Sequence, residues 1–409
     1  MSRRHHFQLP RAGRYLPPLG NDFVSIEALS GLVLLAGAVA AIVWANLAPG
    51  AYGDVWGADL TLGAGDAAIT LDLRHWVNDA LMALFFLVVG LEIKREFVDG
   101  ELADLRTAGL PVLAALGGMV VPAAIYAVLN GGHAGADGWG IPMATDIAFA
   151  IGVLAILGSR VAPALKLFLL TLAIVDDIGA IVVIAVFYSA GVEAAWLGAG
   201  VGVLLAILMM RRLGVASTWW YVVPAIALWI CTHESGVHAT IAGFVLALVV
   251  RGGRGTAVGP LERLEHTLHP WSSFVIVPLF ALANAGIVLS GATFGDAVQG
   301  RVFWGVVLGL VVGKAVGIAG FTALGMRMGL RLPSEMTLRS VVGIGALAGI
   351  GFTVSLFVAD LSFAGERLEA AKLGILAASL LAGILGAGVL ALLGRGRATR
   401  TISTTSGEP

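Results

Sequence analysis

The chain has 409 residues, of which 58% are hydrophobic and only 12% charged, with a net charge of −1. A soluble domain carries about 25% charged residues, so this composition, with a mean hydropathy of +0.93, excludes a water-soluble globule. The lack of a basic excess excludes a nucleic-acid binder, and the single cysteine, Cys231, excludes an internal disulfide and a cysteine-based zinc cluster. Cys231 itself reads as an inert, buried small residue.

In chain order, residues 1–22 carry Arg3, Arg4, Arg11 and Arg14 with Pro10, Pro17 and Pro18 and no apolar run, so they read as a cytoplasmic tail and not as a cleavable signal. A membrane domain is expected over 23–394, and a second cytoplasmic tail over 395–409. Crossing the hydrocarbon core takes about 20 apolar residues. Such runs fall near 27–48, 76–97, 108–130, 135–158, 163–189, 195–213, 217–232, 236–251, 271–290, 302–325, 339–360 and 369–394, which predicts an all-α polytopic protein of about twelve transmembrane helices. The loop at 49–75 alternates polar and apolar residues around Gly53, Gly57, Gly63 and Gly65, and forms either a β-hairpin or an irregular loop. With spans alternating, 20 Lys and Arg residues fall on the side of the termini and four (Arg74, Arg301, Arg367, Lys372) on the other. The positive-inside rule makes the first side cytoplasmic.

Few ionisable groups lie deep in these runs. Burying one charge costs about 2.5–3.5 kcal/mol or more, so each is a functional candidate. They are Asp79, Asp146, Asp176, Asp177, His238 and Lys314. Asp146 follows Pro142 and Thr145, which suits a helix break and a fresh helix start that stabilises an anion. Asp176 and Asp177 are adjacent, so they point about 100° apart on a helix and at least one lines a cavity. Two close buried carboxylates titrate as a coupled system, as a site exchanging protons for cations requires. His233, Glu234 and His238 resemble a zinc-protease motif, but the histidines are five apart. That turns them about 140° away from one face and excludes metal binding there. Glu262, Glu265, His266 and His269 form a titratable cluster, either a solvated amphipathic segment or a pH sensor. Lys314 is the only deep base and can neutralise a buried Asp or the carbonyl end of a half-helix. Gly343, Gly345, Gly349 and Gly351 mark a second broken helix or tight glycine packing.

Several runs together resemble the NhaA-type sodium/proton antiporters across about residues 20–392. They are Gly90 to Glu96 (GLEIKRE), Met143 to Phe149 (MATDIAF), Ala173 to Ala180 (AIVDDIGA), Ser235 to Thr240 (SGVHAT), Leu264 to Trp271 (LEHTLHPW), Pro278 to Gly286 (PLFALANAG) and Gly349 to Thr353 (GIGFT). The resemblance implies a twelve-helix inverted-repeat antiporter fold, with spans four and eleven unwound and crossing at mid-membrane. It implies Asp176 and Asp177 at the Na⁺/Li⁺ and proton site, with Asp177 as the Na⁺ ligand. It places Thr145 and Asp146 at the crossing, where Lys314 pairs with Asp176 or balances the charge. It also places Glu92, Arg95, Glu96, Glu265, His266 and His269 at a pH-responsive cytoplasmic entrance. Where the family often has proline after the lysine, this chain has Ala315.

The expected function is secondary active exchange of cytoplasmic Na⁺ or Li⁺ for external H⁺, pH-regulated, in a bacterial inner membrane with both termini cytoplasmic. Membrane lipid is a partner and no cofactor is expected. The resemblance also suggests a homodimer joined through the external loop. The alternative is a sodium-coupled organic-solute symporter of similar architecture, which predicts a larger polar cavity than these runs supply. An intramembrane hydrolase needs carboxylates converging from two spans, which adjacent residues on one helix do not provide, so the chain does not read as an enzyme.

Overall fold

The computed structural model describes residues 21–63, 65, 68–98, 100–189, 191–215, 217, 219–250 and 260–405. The expected tails lie largely outside these residues. Residues 21 and 22 begin the first helix, residues 395–405 continue the last one, and the rest of both tails is outside the described residues. Arg251 and Arg254, counted above for topology, are outside as well.

Helix α1 (Asn21–Leu47) leads through the short α2 (Pro49–Trp56) into strands β1 (Asp59–Leu62) and β2 (Ile69–Asp72). The strands pair antiparallel, with Asp59 opposite Asp72 and Leu62 opposite Ile69, so the loop's alternation resolves as a hairpin. Thr61 and Thr70 bond across it at 2.8 Å between their Oγ1 atoms. Asp72 caps the helix that follows, its carboxylate accepting from the His75 N–H at 2.7 Å.

Helix α3 (Leu73–Val98) contains a π turn at Val77–Leu81. Helix α4 (Leu105–Asn130) precedes a 3₁₀ segment, Ala136–Met143, and an extended stretch at 144–146. Then come α5 (Ile147–Leu157), α6 (Pro163–Phe187), α7 (Ala194–Arg212), α8 (Trp219–Glu234) and α9 (Thr240–Val249). After them α10 (Pro260–Trp271) and α11 (Val277–Asn284) are joined by a second π turn, and α12 (Gly291–Gln299) follows. The chain closes with α13 (Arg301–Arg327), α14 (Leu338–Leu347), α15 (Phe352–Ser362) and α16 (Glu366–Thr405).

Among the described residues the chain is all-helical apart from the hairpin. Among the described residues, eight helices are long and apolar enough to cross a membrane, or nine if α14 and α15, bent by 52° at their break, make one span. The remaining expected spans near 217–232 and 236–251 correspond to helices of 16 and 10 residues, and the one near 271–290 to the end of a helix that runs unbroken through its π turn from Pro260 to Asn284. A helix rises 1.5 Å per residue, so neither α8 nor α9 alone covers the hydrocarbon thickness.

Glycine sets how closely the helices approach. α9 lies directly on α3, where a Cβ on Gly243 would overlap the Ala83 carbonyl, and α4 meets α13 at Gly117 and Gly317, each against the other's backbone. Close backbone approach of this kind is how apolar helices pack in a medium as apolar as their own side chains.

Candidate functional site

Two interruptions meet inside the helix bundle. At the first, Pro142 ends the 3₁₀ segment one residue before its close, and the chain runs extended until Asp146 starts α5 as its N-cap. At the second, glycines release the backbone between Leu347 and Phe352. The breaks bond to one another. The Asp146 N–H donates to the Ile350 carbonyl at 2.6 Å, and the Thr145 hydroxyl lies 2.9 Å from the Ala348 carbonyl. The Asp146 carboxylate is satisfied from both sides. Its Oδ2 accepts from the Thr353 hydroxyl at 2.7 Å and the Thr353 N–H at 3.1 Å, and its Oδ1 accepts from the Phe149 N–H at 3.1 Å.

Asp176 and Asp177 sit at the middle of α6 and face different surroundings, as their angular offset requires. Asp176, 0% exposed, meets Lys314 of α13, also 0% exposed. The Lys314 ammonium donates to Asp176 Oδ2 at 2.6 Å and to the Thr145 hydroxyl at 3.0 Å. Thr145 Oγ1 lies 2.8 Å from the same carboxylate oxygen and has one proton to give, to Asp176 or to Ala348. Lys314 follows a π turn at Gly309–Gly313, which sets its direction on the helix. Asp177, 6% exposed, lies within electrostatic reach of Asp176, Glu92 and Asp146, and also of Lys314, which bonds its neighbour Asp176. Oδ1 of Asp176 and Oδ1 of Asp177 are both buried and accept no hydrogen bond from the protein. Two orphaned carboxylate oxygens on adjacent residues are oxygen ligands of the kind a hard cation takes. A proton on either carboxylate removes the charge that would hold the ion.

The other predicted residues gather at the far end of α3. Arg95 pairs with Glu265 and approaches Glu96 at 3.6 Å, and His269 Nε2 is 3.5 Å from Glu92 Oε1. Burial pushes the Glu265 carboxyl above the usual carboxylate range, and the Arg95 guanidinium draws it part of the way back. His266 is exposed on the same helix, α10. Lys94 donates to the Leu248 carbonyl at 2.6 Å and also to Val250, neutralising the negative end of α9.

Of the remaining candidates, His238 is a packed ring, 5.2 Å from the Phe357 centroid with Nδ1 3.3 Å from the Thr240 hydroxyl. His233 stacks on Trp229 and faces Asp79, with Nδ1 to Oδ2 at 3.6 Å. Among the described residues no group of three or more His, Cys, Asp or Glu is arranged to hold a metal. Cys231 is buried and free. An inventory of ionisable groups passes over Thr353, which holds Asp146, and over the bonded amides Asn78 and Asn284. It also misses Asp360, which falls at the edge of a predicted span. The available signal was an amide inside an apolar run, at Asn78 and at Asn284.

Residues 21–390 match the family described as Na⁺/H⁺ antiporter 1. The chain is 45% identical over 379 residues to a Mesorhizobium japonicum protein named Na⁺/H⁺ antiporter NhaA, covering 90% of this chain and 93% of that one. It is 43% identical over 371 residues to the NhaA of an Escherichia coli strain, covering 89% and 95%. It is 44% identical over 378 residues to NhaA 1 of Clostridium beijerinckii, covering 91% and 94%.

Proposed function

The chain belongs to the Na⁺/H⁺ antiporter 1 family and exchanges Na⁺ for H⁺ as a multi-pass bacterial membrane transporter, not an enzyme; from that premise we propose that cytoplasmic Na⁺ or Li⁺ and external H⁺ compete for Asp177, with Asp176 as its coupled neighbour. The observation that carries this reading is the pair of buried, unpartnered carboxylate oxygens on α6 beside the two backbone breaks. Asp176 is held by Lys314, so Asp177 is the carboxylate left for the exchanged ion. An unpartnered ionised carboxylate is costly in an apolar interior, so Asp177 holds either a cation or a proton. Binding of one displaces the other.

In this reading the breaks at 144–146 and 348–351 are the crossing of two unwound helices in a twelve-span, inverted-repeat fold, with α8, α9 and the helix through α10 and α11 completing three of the spans. Asp146 and Thr145 belong to the crossing, and Lys314 balances the charge there. The occupied site opens to the other side by movement of one helix bundle against the other. The basic residues place both tails in the cytoplasm and the hairpin outside. The membrane is then the bacterial inner membrane, and the hairpin is the contact of a homodimer within membrane lipid. The test is a pH gradient across proteoliposomes. Na⁺ and Li⁺ dissipate it in a saturable way, and organic solutes neither dissipate it nor are accumulated. Solute accumulation driven by Na⁺ would favour the symporter.

The cluster of Glu92, Arg95, Glu96, Glu265, His266 and His269 is the cytoplasmic entrance and sets the response to pH. An imidazole titrates near neutrality, and protonated His269 gains attraction to Glu92 that the neutral ring lacks. As pH rises that attraction is lost. Replacing His266 and His269 together by Asn moves the pH profile of exchange by about half a unit or more while the maximal rate stays within about twofold. The readout is initial exchange rate against pH in the same proteoliposomes, and an unmoved profile returns the cluster to a solvated surface role.

A further inference from the structure

We propose that Asn78, Asn284 and Asp360 form the external gate of the transport route, a hydrogen-bonded latch that parts when the ion site opens outward. The inference rests on the exchange site being the Asp176–Asp177 pair. Asn78 lies in the π turn of α3, Asn284 is the last residue of α11, and Asp360 is on α15. By the distribution of basic residues all three lie toward the external side. The Asn78 amide donates to Asp360 Oδ2 at 2.8 Å and to Asn284 Oδ1 at 3.2 Å. Asn284 returns a bond to Asn78 Oδ1 at 2.7 Å and spends its second proton on the Phe280 carbonyl at 3.0 Å. Asn78 is 3% exposed and Asn284 0%.

Three features make this a gate and not a structural pin. The first is its connection to the crossing. Thr353, Phe357 and Asp360 stand at i, i+4 and i+7, so they share one face of α15. Thr353 holds Asp146 at the crossing. Phe357 packs among Phe86, Phe280 and His238, with ring centroids 5.7, 6.2 and 5.2 Å away. Asp360 is bound by Asn78. The seven residues from Thr353 to Asp360 span about 10 Å, so one rigid rod joins the crossing to the latch. A shift of Asp146 on ion exchange reaches Asp360 along it. The second is the chemistry. A seal that stays shut is best made of apolar side chains, because buried amides gain nothing over them unless fully bonded. A seal that opens to water each cycle is better made of groups that water can satisfy once they separate. The third is the π turn. Such turns occur mostly as local irregularities at functional sites, and this one aims Asn78 at both partners. The buried Lys372 of α16 lies within electrostatic reach of Glu369 and of Asp360, and attracts the Asp360 carboxylate when Asn78 lets go.

The test joins the latch covalently. Asn78→Cys and Asp360→Cys are placed together in a Cys231→Ala background and reconstituted in liposomes. The reduced protein exchanges Na⁺ for H⁺, the oxidised protein falls to background, and reductant restores exchange. In detergent, the oxidised protein still releases protons when Na⁺ is added, because the site remains reachable from the cytoplasmic side. Complete disulfide formation with unchanged exchange overturns the gate. If the pair does not oxidise or is inactive when reduced, a second measurement decides. Labelling of Phe357→Cys by a membrane-impermeant thiol reagent added outside rises about tenfold or more when Asp360→Ala is added, the size expected for losing one charge-assisted hydrogen bond. Equal labelling rates with and without Asp360→Ala overturn the proposal. Failure of the unmodified protein to release protons on Na⁺ addition counts against the exchange site and not against the gate.

Discussion

Asp177→Asn abolishes Na⁺-driven proton movement while the protein still inserts and purifies as a folded species. Asparagine keeps the shape of the side chain and deletes its charge. The substituted carboxylate has a buried Oδ1 that no protein group satisfies, so the change breaks no hydrogen bond at that atom, and the fold tolerates it. What disappears is the group on which, in the proposed exchange, cation and proton compete. Two measurements check this. In proteoliposomes, a pH gradient that Na⁺ dissipates in the wild type persists in the variant. In detergent at alkaline pH, Na⁺ added to wild-type protein acidifies an unbuffered solution and the variant releases no protons. Exchange at near the wild-type rate sinks the assignment and makes Asp146 the next candidate. The geometry argues against that outcome. Both oxygens of Asp146 already accept protein hydrogen bonds, from Thr353 and from Phe149, so an ion there would have to displace them.

The contrast between Asp146 and Asp177 also indicates what a sequence can disclose about such a site. Membrane character, the central acids and the first break were legible, because cost and chain chemistry alone imply them. A charge in an apolar run needs a reason, and Pro142 with Thr145 and Asp146 marks where a helix restarts. The neighbourhood of each acid was legible only through the family resemblance, which left open whether Lys314 pairs with Asp176 or balances the crossing. The order of residues alone does not say that Lys314 bonds Asp176 and not Asp177. That follows from the relative placement of α6 and α13, which are far apart in the chain. The hairpin was open in the sequence because a glycine-rich alternation suits a strand pair and a loop equally well, and only the pairing of Asp59 with Asp72 decides it. The runs at 217–232 and 236–251 are already short in the sequence, and α9 is shorter still, because hydropathy measures apolar length, whereas a helix end depends on where the backbone turns. Ser235 and Gly236 turn the chain between α8 and α9, the latter with a φ of 75° that only glycine adopts readily.

Lys314→Met destabilises the protein more than Lys314→Met combined with Asp176→Asn. Methionine is unbranched and close to the lysine stem in volume, so the substitution leaves little cavity and removes chiefly the charge. Asp176 then loses its ammonium partner at 2.6 Å and keeps only the Thr145 hydroxyl, in a position with no access to solvent. Breaking one side of a buried ion pair costs about 3–5 kcal/mol, because the remaining charge stays buried. Neutralising that charge with Asn removes the cause, and an amide still bonds Thr145. The apparent unfolding midpoint of the purified protein should therefore fall sharply in the single variant and recover in the double one. The loss in the single variant should also shrink as pH falls, since a proton then neutralises the orphaned carboxylate, whereas the double variant should show no such recovery. Single effects that simply add, within about 0.5 kcal/mol, would mean that the two groups are not coupled. Lys314 would then serve Thr145 and the backbone breaks alone.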